Sequence, residues 1–162
     1  MLLAVVSDTH GHVSNTREAI RMLESFSPAA VIHCGDIGSA EIVPLFAPWP
    51  THFVLGNVDE GVPEIEQAII KAGQVNHGRF GQLALAGRRI AFLHGHDTDR
   101  LQKEIASGKW DLLCHGHTHR REVRVVNERT TVLNPGALYR AQPHSLAIVD
   151  LKTLDVTSVA LS

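Results

Sequence analysis

The feature that most constrains this chain is a recurring one: a short apolar run that ends abruptly in Asp, Asn or His. It is plainest at Leu112-Leu-Cys-His-Gly-His-Thr-His119. There the run 110–114 gives way to His115, His117 and His119, separated only by Gly116 and Thr118. Neutral imidazole is the commonest side-chain ligand for divalent metals. Residues two apart in extended chain share a face, so all three histidines can project the same way. Four runs upstream end alike. Residues 2–6 lead into Ser7-Asp8-Thr9-His10, and 29–32 into His33-Cys34-Gly35-Asp36. Residues 51–55 lead into Gly56-Asn57-Val58-Asp59, and 89–93 into His94-Gly95-His96-Asp97. Runs of this length and apolarity read as buried strands.

Helical periodicity fills the gaps between them. Asn15, with Glu18 three residues on, is expected to cap a helix with Ala19, Ile20, Leu23 and Phe26 as its apolar stripe, and Pro28 stops it. Ser39 is expected to cap a short helix through Phe46, Pro63 to open one reaching Ala72, and Thr98 to cap one through Ile105. Residues 82–86 and 89–93, split by Gly87-Arg88, read as an antiparallel hairpin. After the triple-histidine loop the pattern turns antiparallel, through 122–126, 130–133, 145–151 and 156–161, with a turn at Asn134-Pro135-Gly136. No internal repeat and no linker divides the chain. The expected fold is α/β, two packed sheets with helices outside, formed by residues 1–162 as a single domain. At 162 residues, 44% of them hydrophobic, there is material for one substantial core.

Charge and cysteine content exclude several function classes. A formal net charge of −2 leaves no electrostatic footprint for nucleic acid or an anionic membrane. The local basic run Arg120-Arg-Glu-Val-Arg124 reads as a solvated strand edge. Cys34 and Cys114 each close an apolar run and read as inert buried thiols, not as a disulfide framework. No stretch approaches the roughly 20 apolar residues of a membrane span. The first apolar run meets Ser7-Asp8 too soon for a signal sequence, so a cytoplasmic location is expected.

In an open α/β sheet, ligands bind beyond the carboxyl ends of the strands. The residues delivered there are Asp8, His10, Asp36, Asn57, His94, His117 and His119: two carboxylates, one amide and four imidazoles. That mixed oxygen and nitrogen shell suits Mn, Fe, Ni, Co or Zn better than Ca or Mg. It exceeds what one zinc ion uses, whereas two ions sharing a bridging carboxylate use it economically. Such pairs, about 3.5–4 Å apart, clamp a phosphoryl group and activate water. Taken singly, each motif has a plainer explanation. Asp8 can cap a turn, Gly35-Asp36 and Gly56-Asn57 are turn dipeptides, and His94 can be a hydrogen-bonded core histidine. Their occurrence in order, each straight after an apolar run, favours a dinuclear centre for phosphoester hydrolysis.

Together, Asp8-Thr-His10, Gly35-Asp36, Gly56-Asn57-Val-Asp59, His94-Gly and Gly116-His-Thr-His119 resemble the five ordered motifs of the calcineurin-like metallophosphoesterases. The overall length and Asn134-Pro-Gly136 are similar to the small YfcE-type phosphodiesterase subfamily. The resemblance implies an αββα sandwich. It further implies Asp8, His10 and His119 on one ion, Asn57, His94 and His117 on the other, and Asp36 bridging, with His115 left in a supporting role. The implied reaction is phosphodiester hydrolysis of a small substrate by a metal-bridging hydroxide, with manganese the leading ion and Ni, Fe, Co or Zn as alternatives.

Many larger members place a histidine directly after the asparagine ligand. Here that position is Val58, so assistance to the leaving group is expected from Asp59 or His96, beside Asn57, unless a good leaving group needs little help. Ala137 stands where relatives often carry serine. A phosphomonoesterase or nucleotidase on the same metal core is the alternative enzyme, although one tyrosine and five phenylalanines give little on which to stack bases. A non-catalytic binding scaffold, as in a eukaryotic trafficking subunit of similar fold, is the alternative of another class, and the complete ligand set argues against it. Apolar edges near Trp49 and the C-terminal hairpins leave a homo-oligomer open.

Overall fold

A computed structural model describes residues 1–162. In chain order the first half comprises β1 (Leu2–Val6), α1 (Val13–Phe26), β2 (Ala30–His33), a 3-10 segment Ala40–Phe46, β3 (Thr51–Phe53), α2 (Pro63–Lys71) and β4 (Val75–Asn76). There follow β5 (Phe80–Leu85), β6 (Arg88–Leu93), α3 (Thr98–Ala106), β7 (Leu112–Cys114), β8 (Arg121–Val126), β9 (Thr130–Pro135), β10 (Ser145–Asp150) and β11 (Asp155–Ala160). One sheet has the order β11-β10-β1-β2-β3-β4 and the other β5-β6-β7-β9-β8.

The apolar runs are continuous, not alternating, because their strands are covered on both faces. Between the sheets lie Leu3, Val5, Ile32, Val54, Ile90, Phe92, Leu112, Leu133 and Val149. On the outer face of the first sheet, Ala4, Val6 and Val31 meet Ala19 and Leu23 of α1, Ile65 and Ile69 of α2, and Phe46. On the outer face of the second, Ala91, Leu93 and Leu113 meet Leu101 and Ile105 of α3. The central strands thus send alternate residues to two cores, and the layers read helix, sheet, sheet, helix. No helix is long and apolar enough to cross a membrane.

Several local expectations are corrected. Helix α1 begins at Val13 and is capped by His12, whose ring nitrogen Nδ1 accepts the Asn15 N–H at 3.3 Å. Asn15 instead turns its side chain outward from the helix and donates to the Leu138 carbonyl at 2.8 Å. Helix α3 is capped by Asp97, not Thr98, through the Arg100 N–H at 3.0 Å. Trp110 lies ahead of β7, its indole donating to Glu104 at 2.9 Å. Strand β4 escapes the periodicity altogether, having only two residues.

Strands β1, β2 and β3 run parallel in one sheet, as do β6, β7 and β9 in the other. Their carboxyl ends therefore share an edge in each sheet, and the loops leaving those ends are stitched together. Asp8 N–H donates to the Gly35 carbonyl at 3.0 Å and His10 N–H to that of Asp36 at 2.9 Å. Gly116 N–H donates to the His94 carbonyl at 2.9 Å. The sheets themselves are joined at this edge by His94, whose Nδ1–H reaches the Cys34 carbonyl at 2.8 Å.

Candidate metal centre

The loops gather the polar residues into two groups, Asp8–His10–His119 and Asp36–His94–His117, each with ligand atoms within 4.8 Å of one another. Asp8, His10, Asp36, His117 and His119 all have positive φ, between 45° and 69°. Non-glycine residues pay about 1–3 kcal/mol for sparsely populated backbone conformations, which persist where surrounding structure enforces them, often at functional sites. Here the left-handed turns swing each side chain inward at the point where the strand has ended.

Hydrogen bonds at the far side of two rings, His94 and His119, determine which nitrogen faces the centre. A carbonyl oxygen can only accept, so the contact from Cys34 places the His94 proton on Nδ1 and leaves Nε2 with its lone pair. That Nε2 lies 3.3 Å from Asp36 Oδ2 and 3.2 Å from His117 Nδ1. Likewise His119 Nδ1 donates to the Arg140 carbonyl at 3.2 Å, so its Nε2 lone pair faces Asp8 Oδ1 at 3.1 Å and His10 Nε2 at 3.3 Å. Asp36 Oδ2 also comes within 3.6 Å of His10 Nε2, so this one oxygen touches both groups. Asp8 Oδ1 is buried without a hydrogen-bond partner.

Lone pairs converging at these distances repel unless a proton or cation lies between them. The donor set, the orphaned oxygen and the tautomers therefore fit a divalent metal in each group. Burial works against both carboxylates, yet both titrate below the ordinary range. At Asp8 the contacts with His10 and Ser7, and the charges of His94 and His119, outweigh burial. At Asp36 the contact with His94, the Val58 N–H and His10 do so. Burial opposes the His94 imidazolium too, but Asp36 and Asp8 move its pKa up. His117 moves down, through burial and repulsion from His94.

The remaining sequence candidates divide. Asn57 is exposed in the loop that docks on Asp36, where Val58 N–H donates to Asp36 Oδ1 at 3.1 Å. His115 is buried and belongs to neither group, its Nε2 lying 3.5 Å from Glu122. His96 flanks the second group, its ring centroid 5.5 Å from that of His94, with Nε2 3.4 Å from Glu60. Asp59, a candidate for assisting the leaving group, is wholly buried and faces the other way. Its carboxylate accepts the N–H groups of Ile37 at 3.0 Å, Gly38 at 2.9 Å and Gly56 at 2.9 Å. It clamps the Asp36 loop to the Asn57 loop.

Three supporting residues escaped sequence reasoning. Ser7 donates to Asp8 Oδ2 at 2.5 Å. His33 ties Thr9, between Asp8 and His10, to Gly35 beside Asp36. Asn134 holds the triple-histidine loop, donating to the Gly116 carbonyl and Thr118 Oγ1, each at 3.0 Å. Ser7 and His33 carried no sequence signal beyond adjacency to the strand-end motifs, whereas Asn134 stood in the Asn134-Pro135-Gly136 turn without its supporting role being read. Glycine is required where these loops press together: a Cβ on Gly56 would lie 2.1 Å from Asp36 Oδ1 and 2.4 Å from its backbone nitrogen.

Residues 1–154 match the family model of the calcineurin-like phosphoesterase superfamily domain, and the chain belongs to that superfamily, a class of phosphoric ester hydrolases. It is 27% identical over 166 residues to phosphodiesterase MJ0936 of Methanocaldococcus jannaschii, covering 99% of each chain. A solved structure of an archaeal phosphodiesterase superposes with a TM-score of 0.90 at 27% identity, covering 99% of this chain and 100% of that one. The fold is shared with the phosphoesterase YfcE from E. coli (TM-score 0.67, 19% identity, all of both chains). It is also shared with Vps29 from Entamoeba histolytica (TM-score 0.69, 19% identity, all of both chains).

Proposed function

We propose that this chain hydrolyses phosphodiesters with two divalent metal ions, one held by Asp8, His10 and His119 and the other by Asn57, His94 and His117, with Asp36 shared between them. The observation that carries the reading is Asp36 Oδ2 lying within reach of His10 and His94 at once, 3.6 Å and 3.3 Å away. The similarity to a curated relative and to a solved structure, both described as phosphodiesterases, supports the diester over the monoester. Manganese suits the mixed oxygen and imidazole donors, as do Ni, Fe, Co and Zn. Bound ions would neutralise the phosphate and lower the pKa of a water. Residues 1–162 act as one domain in this reading, and a cytoplasmic setting accommodates it.

The protein's own residues preorganise that chemistry. The Cys34 and Arg140 carbonyls hold His94 and His119 in the tautomer that presents Nε2 inward. Asp59 is a positioning residue that sets the spacing of the Asp36 and Asn57 loops. His96 stands on the flank of the second group, where Val58 supplies no proton donor, and is the residue available to hydrogen-bond a leaving oxygen.

Chelator-stripped protein given Mn²⁺, Ni²⁺, Zn²⁺ or Mg²⁺ should regain cleavage of a chromogenic diester and lose it in Asp36→Ala. His96→Ala should depress turnover of a poor leaving group more than that of nitrophenolate. Two ions bound with no ester turned over would replace the enzyme reading by a binding scaffold.

A further inference from the structure

Arg140 lies in the left-handed region at φ 55°, and its carbonyl is the one that orients His119. Its guanidinium lies over the ring of Tyr139, 5.6 Å from the centroid. That ring, the only tyrosine of the chain, stacks on His12 at 4.7 Å with 14° between planes, and lies 6.2 Å from the ring of His10. A cation is thus held on an aromatic support beside the first ligand group, where stacking limits the rotamers it would lose on binding.

Arg120 and Arg121 follow His119 directly in the chain. With Thr118 and Glu122 they line an open concavity of about 570 Å³. Glu122 does not neutralise them, because its carboxylate contacts Arg124 at 2.5 Å and His115 at 3.5 Å. The arginine–carboxylate pairs of the fold are Arg79–Glu60, Arg89–Asp111, Arg129–Asp111 and Arg124–Glu122. Arg120, Arg121 and Arg140 take part in none. Arg120 and Arg121 continue the chain from His119 and the Arg140 backbone meets the His119 ring, so three arginines without a carboxylate partner flank one residue of the first group, a charge arrangement that suits an anion.

We infer that Arg120, Arg121 and Arg140 form an anion subsite beside Asp8, His10 and His119, and that it receives a second phosphate group carried by the ester being hydrolysed. The inference rests on the phosphoesterase reading for its substrate but not for its ligand chemistry. Guanidinium binds phosphate through paired charge-assisted hydrogen bonds, which favours arginine over lysine here. The matching substrates are diesters with a further phosphate on one arm, such as a short 5′-phosphorylated oligonucleotide, not diesters with two neutral arms.

The test pairs binding with turnover. Calorimetry on Mn²⁺-loaded protein compares thymidine 3′,5′-bisphosphate with thymidine 5′-monophosphate, in wild type, Arg140→Ala and the double variant Arg120→Ala/Arg121→Ala. The double variant leaves the backbone contact to His119 untouched. The bisphosphate should bind about tenfold more tightly to wild type, less so as salt rises, and within about twofold of the monophosphate in either variant. On the same Mn²⁺-loaded protein, a 5′-phosphorylated thymidine dinucleotide should show a similar gain in kcat/KM over the unphosphorylated one. Equal binding of the two nucleotides by wild type, or an advantage that survives both variants, overturns the subsite. Cleavage of both dinucleotides at equal kcat/KM also overturns it while the esterase reading stands. A binding advantage with no turnover under any ion upholds the subsite and removes the esterase reading.

Discussion

His33 is wholly buried, with Phe53 stacked on its ring at 5.5 Å and Phe46 edge-on at 5.7 Å. Gly35 N–H donates to its Nδ1 at 3.2 Å, so the proton is on Nε2, which donates to Thr9 Oγ1 at 3.1 Å. The Thr9 hydroxyl passes the chain on to the Ile37 carbonyl at 2.9 Å. Replacing His33 with Phe keeps an aromatic ring but leaves the Gly35 N–H buried without an acceptor and deprives Thr9 of a donor. An unsatisfied buried group costs about 1–3 kcal/mol, so a deficit of about 2–3 kcal/mol is expected at pH 7.5.

The deficit should depend on pH in a definite direction. Burial lowers the His33 pKa from 6.5 to about 3. A histidine depressed in the folded state contributes fully above its unfolded pKa, and the contribution is lost as pH falls from 6.5 towards 3. At pH 5 the loss to wild type is about 2 kcal/mol, from about 1.36 kcal/mol per unit over about 1.5 units. The Phe variant has nothing to lose there. Urea unfolding of both proteins in chelator at pH 7.5, 6 and 5 cancels the groups they share, and the difference should shrink by about 2 kcal/mol. A deficit independent of pH would show that His33 is charged or hydrated in the fold, and the network argument would fail.

Gly56→Ala should displace Asp36, whose Oδ1 would lie 2.1 Å from the new Cβ, and weaken Mn²⁺ binding about 10–100-fold by calorimetry. Unchanged affinity would mean that Asp36 does not bridge. Divalent ions at hundredfold excess over Kd should stabilise the protein by about 2.7 kcal/mol per occupied site. Calorimetric melts should show that gain in wild type and a smaller one in Asp36→Asn, and equal gains in both would detach Asp36 from the site.

Helices were legible in existence and less so at their ends. His12 displaced Asn15 as a cap because a tertiary contact to Leu138 claims the Asn15 side chain, and Asp97 displaced Thr98 by capping the helix one residue earlier. Asp59 looked chemical by its place in a motif, and only the two loops folded against each other show its oxygens spent on three amides. The basic run after His119 is the solvated strand edge its charge pattern predicts, β8 standing at the end of its sheet, and only the fold brings the Arg140 carbonyl to His119.

What the sequence determined alone was the succession of most strands along the chain and the polar side chains that stand at their ends. Hydrophobic periodicity and abrupt strand ends are local, and local patterns survive without coordinates. What only the tertiary structure decided was the pairing among those side chains. It placed Asp36 between His10 and His94, turned His115 away towards Glu122, and chose the inward tautomer of His119 through a carbonyl 21 residues away. Those outcomes depend on the register between two sheets packed face to face, and that register is fixed by contacts among residues far apart in the chain.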